Sequence, residues 1–155
     1  MAGSEIGAQV VLVVTAAVLF YAALTDLREY KIRNELIYLL VGLFLVHCTL
    51  TGRWSVIHWN IALALIIFLS TLWFYSRGMI GGGDVKIVTV AFLWVGIDYA
   101  LALALLTLAF SALHAVLAKI GWMRAEYAAG HLRIPFAPSV AAALIGCFVL
   151  ELYRF

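Results

Sequence analysis

The chain is predicted to be an all-α polytopic membrane protein, a single bundle of about six transmembrane helices with both termini outside the cytoplasm. Three observations predict this. Of its 155 residues, 66% are hydrophobic and only 12% are charged, against about 25% charged in an average soluble domain. Apolar stretches recur at close to the roughly 17–25 residues that a helix needs to cross a bilayer. Lys and Arg gather in alternate connections between those stretches.

The stretches lie at 8–25, 35–50, 58–75, 85–97, 100–120 and 136–153. The fourth is short, but it becomes adequate if its helix begins near Gly83 and continues through Asp98. Joining it to the fifth would make one stretch too long for a single crossing, so a tight turn is expected around Asp98 and Tyr99. The remaining connections, 26–34, 51–57, 76–84 and 121–135, are too short to hold a soluble domain. No internal repeat, low-complexity segment or linker divides the chain, so 1–155 reads as one transmembrane domain.

Arg28, Lys31, Arg33, Arg77, Lys86, Lys119, Arg124 and Arg133 fall in or beside the first, third and fifth connections. Only Arg53 and Arg154 fall on the other side. That asymmetry predicts the first set to be cytoplasmic. Trp54, Trp59, Trp73 and Trp94 lie near the predicted interfaces, where aromatic anchors are common.

Composition also excludes classes. A net charge of +2, without a basic run interleaved with aromatics, argues against nucleic acid as a partner. Cys48 and Cys147 stand far apart and read as packing residues rather than a zinc or redox pair. His47, His58, His114 and His131 have no ligand spacing, and His114 on an apolar helix reads as hydrogen-bonded within the bundle. No metal or organic cofactor is expected. Residues 1–9 contain Glu5 but no Lys or Arg, so the first apolar segment is expected to remain in the mature protein.

The informative residues are two aspartates at the predicted cytoplasmic edge. An ionisable side chain at membrane depth is costly and is a functional-site hypothesis by default. Asp26 ends the first span and opens a polar link to Asn34, which is suited to cap the second helix. Taken alone, Asp26 also fits a solvated or arginine-paired carboxylate at a helix end. Asp84 follows Gly81, Gly82 and Gly83 and precedes Lys86. Three glycines free the backbone and admit a close approach, here expected to be that of a substrate backbone. The plainer reading is a flexible loop with a helix-capping aspartate. Lys86 fits either a partner of Asp84 or of a carbonyl, or a lysine reaching for the interface. Pro135 and Pro138 are expected to set where the last helix begins.

The order Asp26, Ile32, Asn34, then Gly81, Gly83, Asp84, Lys86 resembles the type IV prepilin peptidases, bacterial members of the Gly-x-Gly-Asp intramembrane aspartyl proteases. The segment Ile134-Pro135-Phe136-Ala137-Pro138 is similar to the proline-containing start of that family's last helices. The resemblance implies an inner-membrane aspartyl endopeptidase. It would remove the basic leader of a prepilin-like substrate, cutting after a glycine at the cytoplasmic face with Asp26 and Asp84 activating water. Larger members add an N-terminal domain with zinc-binding cysteines and an N-methyltransferase activity. This chain is expected to lack both and to resemble the short, peptidase-only branch associated with Flp-type tight-adherence pili. It departs from the family pattern at Arg33, where many members have proline, and at Ala23, where larger members often have cysteine.

In the expected reaction one carboxylate takes a proton from water while the other, protonated, donates to the scissile group. Glu29, Glu35 and Glu126 are candidates for contacting a basic leader. Two other readings stand beside this one. The first is a small proton- or cation-coupled carrier with a discontinuous helix at Gly81–Gly83. The second is a non-catalytic pilus-assembly protein of the same shape.

Overall fold

A chain in lipid must satisfy its backbone polar groups internally, and an apolar chain with little strand alternation does so as helices. The computed structural model describes residues 2–121, 126–128, 131–133 and 135–152. Its helices are α1 (Ala2–Glu29), α2 (Asn34–Thr51), α3 (Ile57–Ser76), α4 (Gly82–Lys119) and α5 (Ala137–Leu152), with a 3₁₀ turn at Arg53–Ser55. Four of them, α1 to α4, are long and apolar enough to cross a membrane, and α5 is a shorter apolar helix. The chain is therefore a multi-pass membrane protein. Arg124, Ile134, Tyr153 and Arg154, which entered the sequence argument, lie outside the described residues, as do the side chains of Glu126, His131 and Arg133.

Among the described residues one feature is not helical. Strands β1 (Glu126–Ala128) and β2 (His131–Arg133) pair antiparallel, with Tyr127 opposite Leu132. Three-residue strands are too short for a period-two pattern to be read in advance.

The expected fourth and fifth spans form one helical path, and its interruption is at Gly96 rather than at Asp98 and Tyr99. A straight 38-residue helix would be about 57 Å long, nearly twice the roughly 30 Å of a bilayer's hydrocarbon core. Gly96 breaks it with φ 59° and ψ −161°, a conformation open essentially to glycine alone. The break frees carbonyls of the preceding turn, and Asn60 of α3 answers by donating its Nδ2 to the Leu93 carbonyl at 3.1 Å.

The core forms where α1, α2, α4 and α5 meet, around Leu19, Leu40, Ile87, Leu103 and Leu144, all buried. In contrast, α3 buries only Ala64 and turns Leu65, Ile66, Leu69 and Leu72 outward. Lipid, being as apolar as leucine, leaves no reason to hide such a face. Hydroxyls inside helices bond their own backbone: Thr15 to the Val11 carbonyl at 2.7 Å and Thr25 to that of Ala22 at 2.9 Å.

Trp54, Trp59 and Trp73 are about half exposed, as interfacial anchors require, but Trp94 is not one of them. It is buried on α4 among Phe44, His47 and Phe148, and its indole N–H donates to the Leu40 carbonyl at 3.1 Å. Sequence position beside a predicted span end cannot distinguish an outward ring from one turned into the bundle, and the carbonyl of Leu40 supplies the partner that makes burial possible.

Candidate active site

Asp26 lies in the last turn of α1, which runs three residues past it to Glu29. It is only 5% exposed. Its Oδ2 accepts the Ala137 N–H at 3.0 Å, and the backbone of Phe136 lies beside it. Those groups open α5, where the first N–H groups of a helix have no partner within the helix. A carboxylate from α1 thus caps a helix that begins 111 residues later. Pro138, in the first turn of α5, forgoes an N–H that would be unpaired there, while Pro135 precedes the helix. Both prolines therefore stand at the helix start, as expected.

Asp84 is at the third position of α4, and its Oδ2 accepts the Gly81 N–H at 3.1 Å in a capping arrangement. The glycines before it stand close to the chain itself. A Cβ on Gly81 would lie 3.1 Å from the Asp84 Oδ2, one on Gly82 3.3 Å from the Tyr75 ring, and one on Gly83 3.4 Å from Ile32. The room that was expected to serve a substrate backbone is filled at these points by the protein's own side chains. Helix α4 starts at Gly82 without a break at the glycines, so the discontinuous helix that a carrier reading requires there is absent.

The two motifs meet in space. Ile32 is buried against Gly83, and the Lys86 Nζ donates to the Asn34 Oδ1 at 2.8 Å. Asn34 is consequently the first residue of α2, not its cap. Arg33 holds the cap position without a side-chain bond, and the Asn34 amide is turned to the lysine. Arg33 has φ −74°, within the range a proline would impose. Ala23, at the other departure, is packed in the core.

Asp26 and Asp84 line one cavity of about 1050 Å³ at this end of the bundle, along with Tyr30, Ile32, Asn34, Gly81, Gly82, Gly83, Lys86 and Pro135. Glu35 stands exposed at its rim, 3.4 Å from Arg33, whereas Glu29 is exposed outside the lining. At the opposite end Arg53 pairs with Glu151. Among the described residues no group of three or more His, Cys, Asp or Glu side chains is placed to hold a metal ion.

His114 is the residue whose surroundings were misjudged. It is buried on α4, but its Nε2 has no hydrogen-bond partner among the described residues. No local spacing announces a buried histidine without a partner.

Fold and cavity together define a multi-pass membrane protein with a polar site, holding two carboxylates, at one end of its bundle. The chain belongs to the type IV leader peptidase family, whose model matches residues 13–118. The match takes in both aspartate motifs and nearly all of α4, and ends before Pro135 and Pro138. It makes the protein a peptidase of prepilin type. No curated protein and no solved structure matches the chain.

Proposed function

We propose that this protein is an aspartyl endopeptidase that removes the basic leader of a prepilin-like substrate at the cytoplasmic face of the inner membrane. The observation that carries the reading is the shared cavity of Asp26 and Asp84 in a chain of the leader peptidase family. A prepilin-like substrate joins a basic leader to an apolar helix. Its junction lies at the membrane surface, and a cavity at the end of a bundle receives it without drawing the apolar helix out of lipid.

Hydrolysis proceeds without a covalent intermediate. One carboxylate accepts a proton from water as the water attacks the scissile carbonyl, and the other, protonated, donates toward the departing amine. Two carboxylates serving one site hold a proton between them more readily than two negative charges. The Gly81 and Ala137 N–H groups orient Asp84 and Asp26 respectively, and the Lys86–Asn34 bond ties the start of α4 to the start of α2. The basic residues Lys31, Arg33 and Lys86 around the cavity agree with a cytoplasmic face, and Glu35 at the rim offers a contact to a basic leader.

Co-expression with a prepilin from the same genome tests the reading. The substrate is expected to lose its leader by mass in the presence of the wild-type chain and to keep it with Asp84→Ala. An uncleaved substrate beside a correctly inserted wild-type chain would reject the reading. A further prediction concerns Gly81→Ala. The added Cβ, 3.1 Å from the Asp84 Oδ2, pushes the carboxylate aside while leaving α4 intact. Cleavage should slow by about tenfold to a hundredfold, as expected for a displaced catalytic group, with unchanged helical circular dichroism.

A further inference from the structure

A helix commonly ends by passing the chain through a residue in the left-handed conformation, and that residue is usually glycine, because a Cβ is crowded there. Helix α1 ends in this way at Tyr30, with φ 51° and its N–H donated to the Asp26 carbonyl at 3.0 Å. Among the described residues the other positions with positive φ, Gly52, Gly78, Gly96 and Gly121, are all glycines. The turn itself is needed, since it leads the chain from Asp26 to Ile32, which is buried against Gly83 of the second motif. A tyrosine is not needed for it. Glycine would make the same turn without strain, and strained residues cluster at sites where the strain serves a function.

What the tyrosine adds is a side chain at the cavity. Tyr30 is half-buried and lines the space that Asp26 and Asp84 share. An apolar wall there could be built from phenylalanine, as it is at Phe74 and Phe136 in the same lining. The phenol differs by one hydroxyl, which water satisfies while the cavity is open. A ligand that displaces the water leaves that hydroxyl in need of a partner. A peptide laid out for hydrolysis is extended, and each of its backbone carbonyls is an acceptor that seeks a donor once out of water.

We propose that Tyr30 is a substrate-binding residue: its hydroxyl donates to a backbone carbonyl of the peptide lying in the cavity, and the left-handed turn at the end of α1 is kept, at a cost in stability, to hold the ring there. The contact rests on the peptidase reading of the cavity, whereas the strain at residue 30 does not depend on it.

Thermal unfolding in mild detergent reads the strain. At an ordinary loop position alanine is more stabilising than glycine, because glycine gives the unfolded chain more freedom, but at a left-handed position the order reverses. Tyr30→Gly should therefore unfold at a higher temperature than Tyr30→Ala, both having lost the same ring. Kinetics with purified protein and a prepilin read the contact. Tyr30→Phe should raise KM by about twofold to tenfold, the worth of one neutral hydrogen bond, with little change in kcat and an unfolding midpoint near the wild type. An unchanged KM in Tyr30→Phe would overturn the contact and leave the ring a wall or an interfacial anchor. Tyr30→Ala unfolding at or above Tyr30→Gly would overturn the strain and, with it, the reason for a functional tyrosine at this turn. A wild-type chain that cleaves nothing would overturn the peptidase reading and the contact together, while the order of the two midpoints would still report on the turn.

Discussion

Asp26→Asn should abolish leader removal while leaving the bundle folded, and Asp26→Leu should damage both. The difference follows from the two tasks of this side chain. Its Oδ2 accepts the Ala137 N–H at the start of α5, and an asparagine keeps an oxygen for that bond. The amide cannot exchange a proton with water or a leaving amine, so cleavage should fall by about 10²–10⁴-fold, the usual contribution of a positioned acid or base. Leucine removes the acceptor as well and strands a buried N–H, costing about 1–3 kcal/mol. Thermal unfolding in mild detergent should therefore separate the variants, with Asp26→Asn near the wild type and Asp26→Leu well below it. Equal activity in wild type and Asp26→Asn would reduce Asp26 to a helix cap, the plainer role that its place at a helix end always allowed.

The largest effect on stability is expected at the break in α4. With φ 59° and ψ −161°, Gly96 occupies a region that side-chain-bearing residues avoid, and an alanine Cβ there would run into the Asn60 side-chain amide. The conformation alone costs about 1–3 kcal/mol for a residue with a Cβ. The contact adds to it, because Asn60 is held by its bond to the Leu93 carbonyl and cannot withdraw without breaking that bond. Gly96→Ala should thus lower the midpoint of unfolding markedly. Asn60→Ala combined with Gly96→Ala should recover only the part due to the contact. Full recovery in the double variant would show that the backbone at Gly96 is not strained by a side chain.

These two sites also mark what the sequence could disclose. Asp26 and Asp84 were legible as a pair because each stands beside a polar motif at a span end, and the Lys and Arg asymmetry puts both ends together. The helix beginning at the glycines and the prolines at the start of α5 were legible for similar local reasons. The task of Asp26 as acceptor for Ala137 was hidden, since the two residues are 111 positions apart. Asn34 looked like a helix cap by residue type, but a lysine from another helix took its side chain, and tertiary contacts override such preferences. Gly96 was one glycine among twelve, with nothing local to show that Asn60 would face it. Trp94 and His114 were misjudged for the same reason: in a chain this apolar, periodicity hardly separates the lipid face from the core, because both are equally greasy.

The central claim is that Asp26 and Asp84 act in one hydrolytic site. It is tested most directly with purified wild type, Asp26→Asn and Asp84→Asn, each reconstituted with a prepilin in liposomes, following leader removal by mass. The account predicts cleavage by the wild type and none above background by either variant, each retaining its helical content. Cleavage that persists in either folded variant would contradict it.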